Sequence, residues 1–124
     1  MGTANDDAER PDRIPSPAAA RPHLTQYDRA GAWVIAAHGA FDLNSVSLLV
    51  DALHDAAAAR RTVVVDAAGF TFADSTVLSA LLAFHRCHDL RLARPAHPLH
   101  RMLELTGADQ VLDIQPTVDA ASTP

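Results

Sequence analysis

Apolar and polar positions change their period several times along this chain, and each change marks an element. Leu24-Thr25-Gln26-Tyr27 alternates and stops at Asp28-Arg29-Ala30-Gly31, a turn signal. Trp33–Gly39 follows as a second strand, so the two are expected to form a hairpin. Phe41-Asp42-Leu43-Asn44-Ser45 then opens a helix in which Val46, Leu49, Val50, Leu53 and Ala57 recur at helical spacing. Asn44 or Ser45 is its expected cap, and Arg60 and Arg61 meet the negative end of its dipole. Thr62–Asp66 is a β-branched run without polar alternation, which predicts a central strand covered on both faces. A turn then delivers Asp74-Ser75-Thr76 to a second helix, with Leu78, Leu81, Leu82 and His85 as its stripe and Val77, Phe84 and His88 beside it. Leu90–Ala93 reads as a short strand. Pro98 opens a third helix with Leu99, Met102, Leu103 and Thr106 inward and Gly107 as a left-handed cap. Val111–Ile114 is the last predicted strand.

The order ββαβαβαβ predicts an α/β fold, a mixed sheet packed with three main helices. Right-handed crossovers would gather the strand-to-helix turns at one end of the sheet. Sites in open α/β sheets collect at the carboxyl ends of strands, where Asp42 and Asp74-Ser75-Thr76 both fall. Residues 1–20 hold Pro11, Pro15 and Pro17 and charges crowded into Asp6–Asp12, with little to bury, and are expected to be a disordered tail. The domain is expected over 21–116, followed by a flexible C-terminus at 117–124.

Composition removes several classes of function. A formal charge of −5 argues against nucleic acid as a direct partner. No apolar run approaches the ~20 residues of a membrane span, and the polar start Met1–Arg10 has no signal-peptide core. With one cysteine, Cys87, no internal disulfide can form, and the expectation is a cytoplasmic protein. His85 with His88 and His97 with His100 are each three apart, but neither pair brings a carboxylate or a Cys-x-x-Cys, so no metal is expected. There is no Gly-x-Ser-x-Gly elbow around Ser75 and no glycine-rich phosphate loop, so neither an enzyme nor a cofactor is expected.

The chemistry left over lies in Asp74-Ser75-Thr76. Asp74 is a good N-cap, able to accept from the N–H of Thr76 or Val77 for ~1 kcal/mol. Ser75 would then stand in the first helical turn, where N–H donors and a positive partial charge suit a phosphate. A phosphate there adds up to two negative charges beside Asp74 and Asp42. That changes the surface potential on a rigid frame, which suits blocking a partner rather than refolding the domain.

Three segments carry a family resemblance. Val63-Val-Val-Asp-Ala-Ala-Gly-Phe-Thr-Phe-Ala-Asp-Ser-Thr-Val-Leu resembles the signature of STAS domains, in the branch of bacterial anti-sigma factor antagonists (anti-anti-sigma factors). His38-Gly39-Ala40-Phe41-Asp42 is similar to the approach to the family's first helix, and Leu103–Ile114 to its C-terminal pattern. Together the anchors cover roughly residues 22–115.

The resemblance implies partner switching in signal transduction and transcription regulation. The unphosphorylated antagonist holds an anti-sigma factor that is also a serine kinase; phosphorylation releases it, and a phosphatase resets the system. It implies Ser75 as phosphoacceptor, with Thr76 a weaker second. Asp42, Asp74, Ser75, Thr76 and Val77 are the implied partner-binding residues. Val77 stands where the family usually has glycine. The alternative is a STAS scaffold or binding module of a signalling or transport-associated complex, without a phospho-switch. Monomer and dimer both fit the alanine-rich helices.

Overall fold

A computed structural model describes residues 21–123, and the tail expected at 1–20 lies outside the described residues. Strands β1 (His23–Arg29) and β2 (Ala32–Phe41) form the expected antiparallel hairpin. Helix α1 (Val46–Ala59) leads into β3 (Thr62–Ala73), and α2 (Ser75–His85) into β4 (Asp89–Ala93). Helix α3 (His97–Thr106) and a 3-10 turn at Ala108–Gln110 precede β5 (Asp113–Gln115) and α4 (Val118–Ser122). The sheet order is β1-β2-β3-β4-β5; only β1 runs antiparallel to its neighbour. The architecture is therefore the mixed five-stranded α/β fold expected, with one helix more.

Two apolar layers hold the sheet. On one face Ile35, Val63, Val65, Leu90 and Leu92 pack under α1, α2 and α3, through Leu49, Leu53, Leu81, Leu99 and Leu103 among others. On the other face Val34, Val64 and Ala93 pack against Ala121 and Val118 of α4. Val63, Val64 and Val65 are all 0 % exposed, so β3 is the central strand covered on both sides. Each such valine contributes on the order of 1.5–3 kcal/mol by leaving water.

The structure departs from the sequence reading at several points. β3 does not stop at Asp66 but runs seven residues further, to Ala73. It pairs with β2 through two irregularities, between Ala36 and His38 and between Gly39 and Ala40, each leaving one extra residue on β3. Gly69 lies at the first: a Cβ there would stand 2.6 Å from the Ala37 carbonyl oxygen and 2.7 Å from His38 Nδ1. The bulges let β3 keep pairing where its alternation is broken, which is why periodicity missed that half of it. Asp66, mid-strand on the α4 face, is 6 % exposed and held by Arg94, whose Nε and Nη2 donate to its two oxygens at 3.0 and 2.8 Å. The Arg94 guanidinium is raised above its ordinary pKa, first by this hydrogen bond and then by the Asp66 charge.

In α2 the buried stripe is Val77, Leu78, Leu81 and Phe84, with His85 and Leu82 only partly covered. Gly107 ends α3 at φ +79° as expected, but the predicted strand at Val111–Ile114 is shorter and later. Val111 is 57 % exposed beyond the 3-10 turn, and Leu112 reaches the core before pairing begins at Asp113. The C-terminus, expected to be flexible, forms α4, in which Ala121 is buried and Arg91 donates to the carbonyls of Ala121 and Thr123. Its burial offsets the ordering entropy that leaves most chain termini frayed.

Candidate functional site at the carboxyl end of the sheet

Parallel pairing of β2 and β3 sets Phe41 opposite Ala73, so both chains leave the sheet side by side. The Asp74 N–H donates to the Phe41 carbonyl at 3.4 Å, tying the two exits together. The loop at Asp42 and the turn at Asp74 therefore share one end of the molecule, although they are distant in sequence. Parallel pairing of two strands joined through α1 puts their carboxyl ends, and the turns that follow them, together.

Asp42 is half-buried and organises its own loop. Its Oδ1 accepts from Asn44 N at 2.9 Å and from Ser45 Oγ at 3.2 Å, while Ser45 Oγ accepts from Asp42 N at 3.0 Å. The Asp42 carbonyl takes Ser45 N and Val46 N at 3.1 and 2.8 Å. Ser45 is thus at the N-cap position without capping by its side chain, and Asn44 does not cap either. The reason is local: Ser45 has φ −119° and ψ −6°, and its hydroxyl turns back to Asp42 instead of reaching into α1.

Asp74 caps as the sequence predicts. It is extended at φ −98° and ψ −175°, and its Oδ1 accepts from Thr76 N at 2.9 Å and Val77 N at 3.4 Å. Those donors are consequently taken by a carboxylate and are not waiting for a phosphate. Ser75 is the first residue of α2, exposed, and its hydroxyl has no hydrogen bond among the described residues. Thr76 is half-buried.

Val77 corrects the sequence reading, which placed it among partner-contacting residues. It is 0 % exposed in the core under α2, because the third helical position points at the sheet. A partner cannot touch it, and its branched side chain does not stand over Ser75. Two side chains absent from that reading do face outward at this end. Leu43, next to Asp42, is 72 % exposed, and Phe72, two residues before Asp74, is 36 % exposed. Leu43 is legible as a leucine inside an otherwise polar turn; Phe72 is not, because the broken alternation in the bulged half of β3 carries a turn pattern.

Elsewhere, His88 stacks on Phe84 at 4.4 Å and His54 meets the same ring edge-on at 5.7 Å. His100 lies 3.7 Å from Glu104, and Cys87 is exposed. Among the described residues, no three His, Cys, Asp or Glu side chains converge as metal ligands, and no helix is long and apolar enough to cross a membrane. The site is an exposed hydroxyl between two structural carboxylates and two apolar side chains, which suits recognition.

Known proteins share this arrangement of elements. A family model described as "Mlab, STAS domain" matches residues 25–115. The crystal structure of an anti-sigma factor antagonist from Mycobacterium paratuberculosis superposes with a TM-score of 0.75 at 23 % identity, covering 82 % of this chain and 91 % of that one. The anti-sigma factor antagonist SpoIIAA in its unphosphorylated form superposes with a TM-score of 0.66 at 17 % identity, covering 80 % of this chain and 92 % of the other. No curated protein sequence matches the chain.

Proposed function

The chain belongs to the STAS domain family, and from that premise we propose that it is an anti-sigma factor antagonist that works by binding and is switched by phosphorylation of Ser75. The observation that carries this reading is the exposed, unbonded Ser75 hydroxyl at the head of α2, beside the Asp42 loop and the apolar side chains Leu43 and Phe72. The partner is an anti-sigma factor with serine kinase activity in the cytoplasm, and a phosphatase resets the switch. In the unphosphorylated state Leu43 and Phe72 supply apolar contact, and the neutral hydroxyl sits at the centre of the interface. A phosphate on Ser75 finds Thr76 N and Val77 N already occupied by Asp74, so it stays outside the helix cap. It adds charge beside Asp42 and Asp74 and repels the partner without a change of fold.

The test is direct. Incubation with the cognate kinase and ATP should add one phosphate at Ser75, seen by intact mass and lost in Ser75→Ala. Ser75→Asp should weaken kinase binding by an order of magnitude or more while leaving the melting temperature unchanged. An unmodified Ser75, together with a Ser75→Asp variant that binds like wild type, refutes the switch. A second reading, a STAS binding module with no phospho-switch, is favoured by the matching family model, whose description names Mlab rather than an antagonist. That outcome is the one it predicts.

A further inference from the structure

We propose that the outer edge of β1, with the groove between β1 and α1, binds an extended basic peptide segment of a partner protein as an added strand. The groove's lining residues are distinct from Asp42, Asp74, Ser75 and Thr76.

β1 is an edge strand of seven residues, exposed along most of its length, and among the described residues nothing pairs with its outer side. The opposite edge, β5, is only three residues long. Natural edges are blunted by charge, proline or brevity, but His23-Leu24-Thr25-Gln26-Tyr27 contains no Asp, Glu, Lys, Arg or Pro.

The turn decides which backbone groups are free. β1 and β2 are joined by two residues, Ala30 and Gly31, both at positive φ (56° and 89°), with Arg29 paired to Ala32. In such a hairpin the pair flanking the turn exchanges both hydrogen bonds, and the pattern alternates from there. Arg29, Tyr27, Thr25 and His23 therefore bond to β2. The N–H and C=O groups of Leu24, Gln26 and Asp28 point outward and can receive a strand.

The groove beneath supplies the specificity. Two depressions of about 510 and 250 Å³ adjoin along β1 and share Gln26 and Asp55. Leu24 and the 43 % exposed Leu48 form an apolar part of the wall, and Asp51 and Asp55 on α1 form an acidic part. Both aspartates are exposed and neither has an ion-pair partner among the described residues. Arg60, at the far end, is neutralised by Asp28 and stacks over Trp33 at 4.9 Å.

Leu24, Gln26 and Asp28 face α1, and so will the peptide residues paired opposite them. A basic residue opposite Gln26 reaches Asp51 and Asp55, and an apolar one opposite Leu24 lies against Leu48. The recognised pattern is a basic and an apolar residue two positions apart in an extended segment. A second copy of this chain fits poorly, because a two-fold seam at β1 sets the acidic faces of the two α1 helices together.

The experiment titrates isotope-labelled full-length protein with an end-blocked heptapeptide of threonine, arginine at its fourth position and leucine at its sixth. Saturable shifts and slowed hydrogen exchange are expected at the amides of Leu24, Gln26 and Asp28. N-methylation at the arginine and leucine nitrogens should weaken binding by roughly tenfold or more, since two backbone hydrogen bonds are lost. Exchange of the arginine for glutamate, or the protein variant Asp51→Lys with Asp55→Lys, should weaken it about as much, whereas Ser75→Asp should leave it within twofold. The proposal is overturned by no saturable shift at these amides, or by equal binding of the N-methylated or glutamate peptide. It is also overturned if these amides are already slow without peptide. Release on dilution would then assign the edge to a second copy, and release on deletion of residues 1–20 to the chain's own N-terminus.

Discussion

Replacing Asp74 by alanine removes the acceptor of two α2 N–H groups, at 2.9 Å from Thr76 and 3.4 Å from Val77. The second is long for a hydrogen bond, so most of the effect resides in the first. Loss of a capping side chain costs ~1 kcal/mol, with ~2 kcal/mol as the upper end. In a domain of this size that lowers the melting temperature by roughly 4–8 °C. Asp74→Asn keeps an oxygen at the same position and gives up only the charge facing the helix dipole, worth ~0.3–1 kcal/mol. Urea unfolding of wild type, Asp74→Asn and Asp74→Ala should therefore rank them in that order with a common m-value. Amide exchange at Thr76 and Val77 should accelerate most in the alanine variant. Because Ser75 stands on the turn that frays, the proposed phosphorylation should change in rate with Asp74→Ala and much less with Asp74→Asn. If alanine lies within about 0.5 kcal/mol of wild type, like an ordinary surface change, or asparagine is as unstable as alanine, the cap is not what Asp74 contributes.

Other consequences follow from packing. Arg94→Ala leaves the buried Asp66 carboxylate, among the described residues, with only the Ala68 N–H, at 3.2 Å. Arg94's own side chain is 55 % exposed, so water can enter behind it and the loss should be about 2 kcal/mol rather than the ~3–5 kcal/mol of a fully buried pair. Arg94's pKa is raised on folding, so its contribution is complete below the guanidinium's ordinary range and lost only at more alkaline pH. From Arg94's side, urea midpoints should then show no pH dependence through neutrality. Val77→Gly should destabilise by about 3 kcal/mol, combining the lost burial of a 0 % exposed side chain with glycine's helix penalty. Denaturant melts check it, and a neutral outcome would contradict the burial. Arg91→Ala should free α4, read as faster exchange at Ala121, whose N–H bonds the Thr117 carbonyl.

How legible the site was depends on the range of each interaction. Asp74 as a cap and Gly107 as a left-handed terminus are decided within a few residues, and both stand where local pattern placed them. The β-branched run of Thr62–Asp66 likewise follows from a strand that must be buried on both faces. Val77 shows the limit: its place in the motif suggested a surface role, while its direction depends on where the sheet lies relative to α2.

The amino-acid sequence by itself determined the order of the five strands and of the first three helices, the central strand, and the capped start of α2 with Ser75 in its first turn. Each depends on backbone preference or on a periodicity that a single segment carries. Tertiary structure alone decided that β3 continues through two bulges to Ala73, since a strand exists only where a neighbour pairs with it. It also decided that the Asp74 N–H bonds the Phe41 carbonyl, that Ser45 serves Asp42, and that α4 closes the far face of the sheet. Those outcomes come from register and packing between distant segments, which no local window contains.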